Sequence, residues 1–267
     1  MEKSVGQKRI GVLDSGIGGL TVLKELERLL PAENMVYFGD SANCPYGNRT
    51  KEEILKLTLS MLDFLQDQGV KIVAIACNTI SSLIDRYRDC YDFPIVSIIE
   101  AACGHIAKQK LAQVGIFATM FTTQEKLYET LIRRLSPGTL VYGRSSRTLA
   151  EFVDQGRFDD PATTEEVRAF LNSLLTEHPE VADIALGCTH YPIVLDMFQR
   201  MAPNVNFINP ALEQAKTVQR VLEKQGALAS GPQEKHEIYT SGSTKLYVDV
   251  LKRLGIRRPV DLHSKVI

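Results

Sequence analysis

Lys71-Ile72-Val73-Ala74-Ile75-Ala76-Cys77-Asn78-Thr79 and Val181-Ala182-Asp183-Ile184-Ala185-Leu186-Gly187-Cys188-Thr189-His190 decide the reading of this chain. Each is a short apolar run that ends near a cysteine followed by small polar residues. Continuous apolar runs of this length read as strands buried on both faces, the kind that parallel sheets covered by helices contain. The residues after each cysteine are of the types that cap helices. In open α/β sheets, ligands bind just beyond the carboxyl ends of such strands.

The same alternation extends outward. Ile10-Gly11-Val12-Leu13 ends at Asp14-Ser15-Gly16, and Leu20, Leu23, Leu26 and Leu30 then recur at helical spacing. Met35-Val36-Tyr37-Phe38 closes at Gly39-Asp40. A turn-rich loop, 41–50, leads to a helix with Ile54, Thr58, Met61, Leu62 and Leu65 on one side. The pattern restarts with the runs Pro94–Ile99 and Leu111–Phe117, the second ending at Ala118-Thr119 as the first strand ends at Asp14-Ser15. The expected fold is α/β: two similar lobes, each a mostly parallel sheet flanked by helices, with the active site in the cleft between them.

Composition sets outer limits. A chain of 267 residues can bury a substantial core without disulfide or metal staples. Lys+Arg of 31 against Asp+Glu of 32 gives a formal charge of −1, without the basic excess that nucleic-acid binders carry. No apolar run approaches the roughly 20 residues that span a bilayer. The stretch Met1–Arg9 has no apolar core of a signal peptide. Five cysteines with no C-x-x-C pair argue against a zinc site or a thioredoxin-like motif, and for free thiols in a reducing cytoplasm. The expectation is a cytoplasmic protein with a small-molecule ligand, no nucleic acid and no membrane partner.

Free cysteine often only fills space, and Cys44, Cys90 and Cys103 are read that way. Cys77 and Cys188 differ, because each occupies the same strand-end setting, one per lobe. If the lobes face each other, the two thiols flank one cleft. Inverting a carbon that bears a hydrogen needs a base on one face and an acid on the other, and a thiolate–thiol pair supplies both. His190 is placed to assist Cys188, and Asp14 to assist Cys77. Asp14-Ser15-Gly16-Ile17-Gly18-Gly19 fails the dinucleotide pattern, with Thr21 at the third glycine position, and the chain has no Gly-Lys dipeptide for a P-loop. Its backbone N–H groups remain suited to a carboxylate, and Pro45-Tyr46-Gly47 can lend more of them and a phenol.

Taken together, Leu13–Val22, Tyr37-Phe38-Gly39-Asp40, Cys44-Pro45-Tyr46-Gly47, Ala76-Cys77-Asn78-Thr79 and Leu186-Gly187-Cys188-Thr189-His190-Tyr191-Pro192 resemble the glutamate racemases of the cofactor-independent aspartate/glutamate racemase superfamily. The resemblance runs along most of the chain. It implies that Cys77 and Cys188 are the proton donor/acceptor pair, supported by Asp14 and His190. It implies substrate contacts from Asp14, Ser15, Tyr46, Gly47, Asn78, Thr79, Thr119, Thr122, Thr189 and His190. It further implies a first lobe of residues 1–98 plus 210–267 and a second of 99–209, a homodimer, no pyridoxal phosphate and no metal, and glutamate as substrate, with D-glutamate supplied to peptidoglycan synthesis. Where the family carries a second-lobe glutamate assisting the second cysteine, this chain has Asp154. It also has Ala101 where Ile-Glu-Pro is common, and bulky Met120 and Phe121 after Thr119. The alternatives are a racemase of the same superfamily acting on aspartate or another amino acid, and a weakly active amino-acid-binding relative.

Overall fold

In the computed structural model, residues 6, 8–230 and 235–267 are described. The segment Met1–Val5, most of the stretch read as lacking a leader, lies outside them. Two sheets carry the fold, and every strand pair in both is parallel. In chain order the strands are β1 (Arg9–Asp14), β2 (Met35–Gly39), β3 (Val70–Ile75), β4 (Ile95–Ser97), β5 (Gln113–Thr119), β6 (Leu140–Ser146), β7 (Asp183–Gly187), β8 (Asn206–Ile208), β9 (His236–Thr240) and β10 (Val260–Ser264). The six-stranded sheet has the order β10-β9-β2-β1-β3-β4 and the four-stranded sheet the order β6-β5-β7-β8.

Both orders contain a switch point. The chain leaves β1 toward β2 on one side, then crosses to β3 on the other; β5, β6 and β7 repeat the pattern. At such points the loops beyond neighbouring strand ends diverge and open a crevice. The residues following β1 and β3 are Ser15 and Ala76-Cys77; β5 ends at Thr119, and Cys188 follows β7. All four segments singled out in the sequence therefore stand at switch points.

Local signals explain the elements between. The leucine spacing gives the helix Leu20–Leu29, with Leu20, Leu23 and Leu26 fully buried. The helix Lys51–Asp67 starts at Thr50 with a capping box, Thr50 Oγ1 accepting from the Glu53 N–H while the Glu53 carboxylate accepts from the Thr50 N–H. Its predicted inward residues, Ile54, Thr58, Met61, Leu62 and Leu65, are all buried.

Several boundaries differ from the sequence expectation, β7 among them, which starts at Asp183 rather than Val181. The run Pro94–Ile99 is not one strand: Ile98 and Ile99 open the helix Ile98–Gln109, whose first turn is capped by Ser97 Oγ accepting from the Glu100 N–H. Both isoleucines are buried, and buried apolar residues look alike in strand and helix. The Leu111–Phe117 strand starts at Gln113 and continues to Thr119.

After the four-stranded sheet the chain returns to the six-stranded one. The helix Pro210–Gln225 sends Gln214 Nε2 to the carbonyls of Ile75 and Val96, 2.8 Å each. β9 then pairs with β2. Among the described residues, no helix is long and apolar enough to cross a membrane.

Candidate active site

Cys77 and Cys188 line the same small cavity, together with Ser15, Cys44, Pro45, Tyr46, Gly47, Asn78, Thr79, Thr119, Ala150, Thr189 and His190. Its volume is about 10 Å³, room for about one water molecule. The cleft is thus closed, and three glycines allow it. A Cβ on Gly16 would come 2.3 Å from Asp154 Oδ1, one on Gly18 2.4 Å from Thr189 Oγ1, and one on Gly47 2.7 Å from the Thr119 Cβ. Gly16 and Gly18, which invite a nucleotide-loop reading, instead let Asp154 and Thr189, from segments that follow strands of the second sheet, approach the backbone after β1.

Polar contacts cross the cleft at several points. Thr189 Oγ1 donates to Asp14 Oδ2 at 3.0 Å, and Asp14 Oδ1 accepts from the Gly16 N–H at 3.0 Å. Asp154 Oδ1 accepts from the Ile17 N–H at 3.2 Å and meets His190 Nε2 at 2.9 Å. Thr79 Oγ1 and Thr119 Oγ1 are 3.0 Å apart, and Thr122 Oγ1 stands 3.0 Å from Thr119 Oγ1. Tyr128 donates to Asn78 Oδ1 at 2.7 Å, which fixes the amide and leaves its Nδ2 buried without a partner among the described residues. An unpaired buried donor is costly unless something it lacks binds there.

The surroundings of the two thiols differ. Cys77 follows β3, and its sulfur lies 3.4 Å from Ser15 Oγ, within hydrogen-bond reach. Burial, then the nearby Asp14 charge, push it up to about 12, against the Ser15 bond that favours the thiolate. Cys188 Sγ lies 3.7 Å from His190 Nδ1. Burial opposes charge on His190, yet its bonds to Asp154, Cys188 and Cys44 outweigh this and hold it well above the ordinary histidine value. Burial raises Asp14 to about 6, against the His190 charge and the bonds from Gly16 and Thr189.

Not every expected residue faces the cavity. Asp14, Asp154 and Thr122 sit one layer behind, bonded to Thr189, His190 and Thr119 respectively. Tyr46 lines the cavity, but its hydroxyl donates to Asp40 Oδ2 at 2.5 Å, so the phenol is engaged away from the thiols. Cys44, read as a packing residue, lines the cavity, and its sulfur, Asp154 and His190 lie with their ligating atoms within 4.8 Å of one another. Ala150 and Tyr128 also carry no local signal. Cys103 is buried and Cys90 exposed, both away from the cavity. A larger hollow, about 750 Å³, lies between Arg88–Pro94, the helix Ile98–Gln109 and the helix Pro210–Gln225. It contains neither strand-end thiol, so size and chemistry point to different places, and the chemistry decides.

The chain resembles known proteins along most of its length. Residues 10–218 match the model of the Asp/Glu/hydantoin racemase family. A glutamate racemase from Trichormus variabilis is 39% identical over 205 residues, covering 76% of this chain and 69% of that protein. One from Thermoanaerobacter pseudethanolicus is 33% identical over 247 residues, 92% of each. Among solved structures, a glutamate racemase isoform from Bacillus anthracis superposes with a TM-score of 0.87 at 32% identity, covering 96% of this chain and 97% of that one. A Francisella tularensis glutamate racemase in complex with D-glutamate also gives 0.87, at 28% identity and 98% of each chain. Two parallel sheets meeting at paired switch points, two thiols in one closed cavity and these likenesses place the chain in the Asp/Glu/hydantoin racemase family, as an amino-acid racemase.

Proposed function

We propose that the chain interconverts L- and D-glutamate by two-base proton transfer between Cys77 and Cys188. The observation that carries this reading is that both thiols line one cavity while arriving from the switch points of different sheets. In one direction a thiolate takes the Cα proton and the opposite thiol returns one; the reverse direction exchanges the roles. His190 assists Cys188 through Nδ1 and is itself held by Asp154. Cys77, raised by burial and by Asp14, is a protonated donor in the resting site and gains reactivity from Ser15.

The substrate's carboxylates need donors, and the cavity offers them. Asn78 Nδ2 has an open hydrogen-bonding position, and the Thr79, Thr119 and Thr189 hydroxyls can turn from their present partners to an anion. The closed cavity is smaller than any amino acid, so binding requires the lobes, 1–98 plus 210–267 and 99–209, to part. Protein thiols suffice for the proton transfers, so the reaction as proposed uses no cofactor. The same reading makes the chain a cytoplasmic homodimer that supplies D-glutamate for peptidoglycan synthesis. Circular dichroism of purified protein with L-glutamate, D-glutamate and both aspartates tests it. Loss of signal from both glutamate enantiomers is expected, and faster turnover of aspartate would reassign the substrate.

A further inference from the structure

We propose that Cys44, His190 and Asp154 form a binding site for Zn²⁺ at the edge of the cleft, and that occupancy of this site stops racemisation. Proton transfer as described uses Cys77, Cys188 and His190 and gives Cys44 no task. Yet Cys44 is brought into the same cavity by the loop after β2, while Asp154 comes from the helix Leu149–Asp154 and His190 from the turn after β7. Three distant segments thus deliver a thiol, an imidazole and a carboxylate to one point.

The geometry suits a small tetrahedral ion. The three ligating atoms lie within 4.8 Å of one another. Tetrahedral bonds of about 2.0 to 2.3 Å place ligating atoms roughly 3.3 to 3.8 Å apart, so the His190–Asp154 pair, now at 2.9 Å, opens slightly to admit the ion. Sulfur, nitrogen and oxygen together favour Zn²⁺ over Mg²⁺ or Ca²⁺, which take oxygen ligands. Three protein ligands leave a fourth position for water. Cys44 and Asp154 are only partly buried, so an ion can reach them.

The ring orientation favours coordination through one nitrogen. His190 Nε2 faces Asp154 at 2.9 Å, whereas Nδ1 faces Cys188 at 3.7 Å. A metal on Nε2 leaves the proton on Nδ1, pointed at Cys188. The Cys44 thiol proton and the one between His190 and Asp154 pass to solvent as the bonds to the ion form. The ion then occupies the link through which Asp154 holds His190 and stands against the cavity that Cys44 and His190 line with both thiols, where it obstructs the substrate.

Binding is independent of the racemase reading; inhibition rests on it. Equilibrium dialysis and calorimetry of the reduced, full chain with Zn²⁺ measure binding, and Co²⁺ substituted for it reports a sulfur–metal charge-transfer band. One ion per chain and a sulfur band are expected. Cys44→Ser should weaken Zn²⁺ binding by more than about tenfold and abolish the band, and Asp154→Asn should weaken binding as much. Cys77→Ser should keep both, and circular dichroism should show each variant folded. With active enzyme, Zn²⁺ should inhibit at the concentrations that saturate the site, and chelation should restore turnover. Binding unchanged in Cys44→Ser, or lost in Cys77→Ser, overturns the site. Saturation without inhibition overturns its role. An inactive chain that still binds through Cys44 supports the site and refutes the racemase reading alone.

Discussion

His190 Nε2 stands 2.9 Å from Asp154 Oδ1, and the same oxygen accepts from the Ile17 N–H at 3.2 Å. Asp154 belongs to the helix Leu149–Asp154 beyond β6, whereas Ile17 follows β1 of the other sheet. One carboxylate oxygen therefore joins the closure of the cleft to the orientation of the ring beside Cys188. Under the proposed opening of the cleft, separation at Ile17 would remove one of its two partners.

Asp154→Ala is expected to lower kcat/KM by about 10²-fold, the low end of what positioned acid–base groups contribute. Because enantiomers have equal free energies, the loss must be equal in both directions. Asp154→Glu, which keeps the carboxylate, should restore part of it. Steady-state rates from both enantiomers check this, and an Asp154→Ala enzyme with unaltered kcat/KM would remove Asp154 from the account.

Replacing either thiol that lines the cavity should be far more severe. Cys77→Ala and Cys188→Ala are each expected to lose about 10⁴-fold or more in kcat, while exposed Cys90→Ala retains wild-type rates. Turnover by Cys77→Ala within tenfold of wild type contradicts the paired-thiol mechanism.

The glycines of the cleft provide a steric test of closure. An alanine Cβ at Gly18 would lie 2.4 Å from Thr189 Oγ1 and 2.8 Å from the Thr189 carbonyl carbon, which is backbone and cannot turn aside. Gly18→Ala should hold the lobes apart and cost about 10²-fold in kcat/KM, since a displacement of about 1 Å suffices for such a loss. Kinetics alongside thermal melting separate this from unfolding: normal kinetics in the variant would show that the closed cleft is not the working form.

Asp14 makes stability depend on pH in an unusual sense. Burial raises its carboxyl from 3.8 to about 6, with His190, Cys77, Tyr37, Cys44 and Tyr247 among the titratable groups nearby. The folded state thus holds the proton more tightly than the unfolded chain. Its contribution is fully present below pH 3.8 and is lost as pH rises through about 6. The difference amounts to about 3 kcal/mol. Relative to wild type, Asp14→Asn should gain up to that amount in denaturant melts between pH 4 and pH 7. A constant difference across this window would contradict the raised carboxyl.

The central strands and both cysteines were legible because β1, β3, β5 and β7 are buried on both faces and read as apolar runs. The strands missed in the sequence lie toward the sheet margins. β6 and β10 are edge strands with half-exposed residues, β8 is three residues long, and β9 alternates buried and half-buried positions. Ile98 and Ile99 show the opposite error, helical residues that look like strand because the helix start is buried. At the site, Asp154 was found through family resemblance; no local pattern marks it. Cys44 has no local signal either. It sits in a turn-rich loop, and only the folding of β1, β6 and β7 around that loop brings it to His190 and Asp154.

The most direct test of the two-base claim is where deuterium goes in D₂O. Opposed thiols mean that the proton removed on one face is not the one delivered on the other. Starting from L-glutamate, at early conversion, D-glutamate should carry deuterium at Cα while recovered L-glutamate remains protiated, as separated enantiomers in a mass spectrometer will show. Recovered substrate as deuterated as product, or product that retains the original proton, would contradict a mechanism in which Cys77 and Cys188 act from opposite sides of the carbon.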